Sequence, residues 1–133
     1  MSGQAASHAP GADVIETLAR AALARIPEPF ASHLADVVLI VEDFADDATL
    51  DAMGIADPFE LTGLYHGRPL GEKSAFDSGA TPDRIHLYRR PLLDEWVDTG
   101  VSLEALVAHV VVHEVGHHFG LSDADMHALE ERA

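Results

Sequence analysis

Cysteine is absent from all 133 residues. That excludes disulfides, thiolate nucleophiles and cysteine-based zinc sites, and it fits a reducing compartment, so the expected location is cytoplasmic. Basic residues are scarce: 8 Lys and Arg stand against 23 Asp and Glu, a net charge of -15. Such a surface repels nucleic acid and anionic membrane, and neither is an expected partner. Long apolar runs are missing as well. The longest, Val37 to Val41 and Val110 to Val112, fall far short of the ~20 residues of a membrane helix. The chain does not open on a basic stretch followed by an apolar one, so no secretory leader is expected. There is no internal repeat and no linker. What remains is a chain of 47% apolar residues, long enough for one domain with a modest core.

Residues 1–12 are rich in Ser, Gly, Ala and Pro without periodicity and are expected to form a disordered tail; the domain spans 13–133. From Asp13 as cap, Val14, Leu18, Ala21, Ala22 and Ile26 recur at helical steps, so a helix should run to Ile26 with that stripe inward. Pro27 and Pro29 stop it. Val37 to Val41 is a continuous branched run, the pattern of a strand buried on both faces. The acidic stretch from Glu42 to Asp51 reads as a solvated helix with Leu50 and Met53 inward. Its spacing does not match a calcium loop. Leu61 to His66 is a second strand candidate. Residues 71–82 look irregular. Arg84 to Arg89 alternates with period two, so Ile85, Leu87 and Arg89 share one face and His86 and Tyr88 the other. Pro91 opens a helix closing at Gly100. Ser102 caps a longer helix from Leu103 to Phe119, ended by Gly120. Ser122, with Asp125 as its capping-box partner, starts a last short one.

The chemistry lies in His113-Glu114-Val115-Gly116-His117-His118-Phe119-Gly120-Leu121-Ser122-Asp123. Four helical residues advance about 400°, so His113 and His117 lie on one face, one turn apart. Two imidazoles so placed can bind one zinc ion. Glu114 flanks the pair, placed to take a proton from a water on the metal without being a ligand. Gly116 is expected to leave room against the sheet. A catalytic site needs a third protein ligand and an open position. Gly120 lets the chain turn back and bring Asp123 toward the metal, with Asp125 as its substitute. The expected set is therefore His113, His117 and Asp123 as Zn2+ ligands and Glu114 as general base. His109 completes a column with His113 and His117 whose ends are about 12 Å apart, too far for one ion. It and His118 are expected to be structural. Tyr65, His66, His86, Tyr88, Arg89 and Arg90 are candidates for the cleft wall. Of the two strands that could form the edge where a peptide substrate adds, Ile85 to Arg89 is preferred to Leu61 to His66.

His113 to Asp123 resembles the H-E-x-x-H-x-x-G-x-x-H/D signature of metzincin-like zinc peptidases, with Asp in the last place. Val38 to Asp43, Leu61 to Leu70, Arg84 to Pro91 and His113 to Met126 are similar to small bacterial zincin-like metallopeptidases. The resemblance covers residues 13–132. It implies a minimal zincin fold, an α+β domain with a small mixed sheet packed on the metal-bearing helix. It also implies hydrolysis of a peptide or small protein substrate. Ten residues follow Asp123, too few for a separate methionine turn, although Met126 can pack beneath the site. The alternative is a non-catalytic zinc-binding or interaction domain that keeps the fold.

Overall fold

The computed structural model describes residues 9–67 and 83–132. Among them are α1 (Ala12–Ala24), α2 (Phe30–His33), β1 (Val38–Glu42), α3 (Asp47–Met53), β2 (Gly63–His66), β3 (Arg84–Tyr88), α4 (Arg89–Thr99), α5 (Leu103–Phe119) and α6 (Asp123–Arg132). A 3₁₀ turn, Pro58–Glu60, precedes β2. The expected irregular segment 71–82, residues 68–70 and the first eight residues of the expected tail lie outside the described residues. Pro10 is already tied to the domain, its carbonyl accepting from Arg89 Nε at 2.8 Å.

The sheet is mixed, in the order β1-β3-β2. β1 runs parallel to β3 and β2 antiparallel to it. This corrects the preferred edge: β3 is the central strand, paired on both sides, and Arg89 already belongs to α4. Among the described residues the edges are β1 and β2. The branched run in β1 is likewise not buried on both faces. Only Leu39 is buried and Val38 stays 39% exposed, because the sheet is three strands wide and β1 lies at its margin.

One face of the sheet is closed by helices. Ile85 and Leu87 of β3 are fully buried there with Val107, Val111, Val112 and Val115 of α5 and Ile15, Ala19 and Ala22 of α1. Burial of such side chains stabilises by roughly 1.5–3 kcal/mol each. Apolar on nearly every side through its middle, α5 takes the centre, packed against α1, α4, α6 and β2. The buried face of α1 is rotated from the expected one: Val14 is exposed and Ile15 takes its place. The helix also opens at Gly11, with Asp13 in its first turn and no side-chain cap. The other sheet face carries a smaller cluster of Ala45, Leu50, Leu61 and Tyr88 beneath α3. Leu50 points inward as expected, whereas Met53 is 47% exposed.

Candidate active site

The ends of α5 follow from local chemistry. Ser102 Oγ accepts from Ala105 N at 3.1 Å, satisfying an orphan donor of the first turn. At the other end Gly120 adopts φ 70°, which glycine reaches without a Cβ penalty. Leu121 N then returns to Gly116 O at 2.8 Å, closing the C-terminus as the chain reverses into α6. Ser122 Oγ accepts from Asp125 N at 3.1 Å, which is the forward half of the expected capping box.

The reversal brings α6 under the last turns of α5, and Gly116 makes this possible. A Cβ at Gly116 would sit 2.3 Å from Met126 Sδ. The room that Gly116 leaves is therefore filled by Met126 of α6, not by the sheet. Met126 is 2% exposed and lies beneath the histidine-bearing turns. On the opposite side Gly63 lets β2 come close, since a Cβ there would meet Val110 at 2.8 Å.

On α5 the rings of His113 and His117 stand edge to face, 5.8 Å between centroids. Burial pulls the His113 pKa down, and the neighbouring His109 and His117 add to this against the opposing pull of Glu130 and Asp123. A neutral imidazole is the form that binds a metal. His117 is mostly exposed, and its Nδ1 is 4.0 Å from Glu114 Oε2, beyond a hydrogen bond. Among the described residues no three His, Asp or Glu side chains converge into a closed metal cage. Asp123, on the first turn of α6, is exposed and acts on His113 through its charge. Asp125 instead borders a hollow with Phe30, Leu121 and Leu129.

Glu114 is the half-buried acid of the site, its side chain 16% exposed. Burial pushes its pKa up, while a bond from Tyr65 N and the charge of His117 act the other way. That bond is a feature of β2. Tyr88 N donates to Thr62 O, so Thr62, Leu64 and His66 turn their backbone groups toward β3. Gly63 and Tyr65 turn theirs outward at the sheet edge, and Tyr65 N reaches Glu114 Oε1 at 3.1 Å. No side-chain pattern announces such a contact. A cleft of about 740 Å³ opens here, lined by Met53, Leu64, Tyr65, Glu114, His117 and Phe119.

The candidate wall residues divide. The Tyr65 ring stacks on His118 at 4.0 Å, and its hydroxyl donates to Asp83 Oδ2 at 3.0 Å. His118 is buried and stands 3.7 Å from the same Asp83 oxygen. His118 is thus structural, as expected, but what it braces is the edge strand. His109 pairs with Glu130 of α6 at 2.9 Å. His66, His86 and Tyr88 belong to the other sheet face. Arg89 bonds Asp43 at 3.3 Å, and Arg90 lies over the Phe44 ring.

The helix thus presents two histidines one turn apart, with a half-buried acid beside them and a sheet edge alongside. The chain belongs to the zincin-like metallopeptidases: that family's model matches residues 34–133. No curated protein matches the chain. Among the described residues no helix is long and apolar enough to cross a membrane.

Proposed function

We propose that this chain is a zinc-dependent metallopeptidase in which His113, His117 and Asp123 hold the metal and Glu114 is the general base. The observation that carries the reading is the setting of Glu114. It is half-buried beside the two ligand histidines, bonded to the sheet edge and open to the cleft.

The donor set fits zinc. Burial lowers the His113 pKa, which favours the neutral imidazole, and His117 and Asp123 are exposed side chains free to change rotamer. Asp123 is favoured over Asp125 because its charge already acts on His113. When bound, zinc supplies a Lewis acid for the substrate carbonyl and lowers the pKa of a water to about 7. The protein's own residues do the rest. An extended peptide lies along the edge of β2, where, among the described residues, Gly63 and Tyr65 turn their backbone groups outward. Glu114 takes the proton of the attacking water and passes it to the leaving amine. A raised pKa makes it a better base than an exposed glutamate. Tyr65 N holds Glu114 Oε1, leaving Oε2 toward His117 and the cleft. We place the reaction in the cytoplasm, on the cysteine-free composition.

The test uses the full chain loaded with zinc and a mixed peptide library read by mass spectrometry. Wild type should cleave; Glu114→Gln should bind zinc equally and not cleave. Cleavage by Glu114→Gln at the wild-type rate would overturn the role of Glu114. A zinc-loaded wild type that cleaves nothing would leave a non-catalytic zinc-binding domain in its place.

A further inference from the structure

On the sheet face turned away from α5, Glu42 of β1, His86 of β3 and His66 of β2 lie along one diagonal. Register places them there. Ile40 and Leu64 stand opposite His86, so Glu42 is two residues beyond Ile40 and His66 two beyond Leu64, displaced in opposite senses along β3. A two-residue step keeps the side chain on the same face.

The contacts along this row are specific. His86 Nδ1 donates to Glu42 Oε1 at 2.8 Å. That fixes the tautomer and leaves Nε2 as the lone-pair nitrogen. His86 Nε2 is buried and has no hydrogen-bond partner. The two ring nitrogens of an imidazole diverge. With Nδ1 toward β1, Nε2 faces the β2 side, where the His66 ring lies 4.5 Å away between centroids. A buried nitrogen without a partner loses its hydration uncompensated and calls for an explanation. Protonating Nε2 would not remove the cost, since the proton would also lack an acceptor. A carboxylate behind one nitrogen of a histidine, with the other nitrogen bare, is the arrangement of a metal ligand and its orienting partner.

We propose that His86 Nε2 and His66 form a second metal site, for a divalent transition ion such as zinc or nickel, with Glu42 orienting His86. Imidazole suits these ions, and water completes the coordination. Glu42 and Asp46 supply negative charge at His66, against Arg84 and the His86 ring. Burial and the neighbouring His86 also hold the His66 pKa down, keeping its nitrogen available near neutral pH. The ion would tie edge strand β2 to central strand β3 one residue from Tyr65, whose N–H holds Glu114. The site is separate from the one on α5 and does not depend on the peptidase reading.

The experiment takes the full chain with His113→Ala and His117→Ala, which removes the α5 site, and measures zinc by equilibrium dialysis and elemental analysis. One zinc per chain should remain. Adding His66→Gln, a change at a partly exposed position, should abolish it without altering the circular dichroism spectrum. Adding Glu42→Gln should weaken it by about 10–100-fold. Copper substituted into the double variant should show imidazole nitrogen couplings in its electron paramagnetic resonance spectrum, and these should fall on His66→Gln. Failure of the double variant to retain zinc, or retention undiminished by His66→Gln, overturns the proposal.

Discussion

His113 and His117 stand one turn apart on a single helix, with Glu114 beside them and bonded to neither. His66 and His86 stand on neighbouring strands, with Glu42 bonded to one of the rings. The place of the carboxylate separates the two pairs. Behind a ring, an acid orients a ligand and has spent the oxygen it bonds with. Beside the rings, steadied by a backbone N–H, an acid keeps an oxygen for water. Glu114 and His117 also line a cleft beside a strand edge, while His66 and His86 lie on the opposite sheet face. One arrangement is suited to chemistry, the other to fastening.

The sharpest way to break this contrast is to exchange acids for amides. Glu114→Gln should lower peptide cleavage by roughly 10²–10⁴-fold, whereas Glu42→Gln should leave the cleavage rate essentially unchanged. Equal losses from both would collapse the distinction. The next effect is on the support of the helix pair. Gly116→Ala drives a Cβ into Met126 and should cost about 1–3 kcal/mol in thermal or urea unfolding. Because it displaces α6, which carries Asp123, it should weaken zinc at the α5 site and spare zinc held by His66. Combined with Met126→Ala, its cost should be less than additive, since the clash disappears. A smaller loss, about 0.5–1.5 kcal/mol, should follow Tyr65→Phe, which removes the hydroxyl bond to Asp83 and leaves the stack on His118.

The smallest effect is a titration. Burial, followed by the charges of Glu42, Asp46 and Glu114, pushes the Tyr88 phenol up to about 12. Burial and the bond to Asp83 push Tyr65 up as well. These are the only two tyrosines of the chain, so absorbance at 295 nm should stay flat through pH 10 and rise only near 12. A group with a raised folded pKa contributes stability that is present below its unfolded value of about 10. For Tyr88 that contribution is lost as pH rises toward 12, and Tyr88→Phe should remove this part of the alkaline loss. Tyrosine absorbance rising near pH 10 would show that the phenols are open to water.

Local chemistry makes α5 legible in the sequence. Ser102, the four-residue histidine step and Gly120 all act within a turn or two of their own positions, so cap, face and terminus follow from spacing. The same holds for α4, whose end at Gly100 is readable, although the helix begins at Arg89 and not at Pro91. Strand order cannot be read that way. Alternation in Arg84 to Arg89 says which residues share a face, but not that β3 has neighbours on both sides. The expected edge strand is wrong for that reason. The expected α1 stripe holds at Ala22 and Ile26, but at its start Ile15 and Ala19 are buried in place of Val14 and Leu18, because neighbouring apolar residues compete there and packing against α5 decides which are buried. Gly116 is a space-maker, as expected, but its neighbour is Met126 and not the sheet, since only the reversal at Gly120 brings Met126 beneath it. The bond from Tyr65 N to Glu114 and the row Glu42, His86, His66 depend on register between strands distant in sequence, and neither leaves a trace in spacing.

The ligand set on α5 is tested most directly by the zinc X-ray absorption spectrum of the His66→Gln chain loaded with one equivalent of zinc. Two imidazole nitrogens and oxygen donors at about 2.0–2.1 Å are expected, with the carboxylate contribution lost in Asp123→Asn and kept in Asp125→Asn. A zinc shell without imidazole nitrogens, or one whose carboxylate is lost in Asp125→Asn instead, would contradict that ligand set.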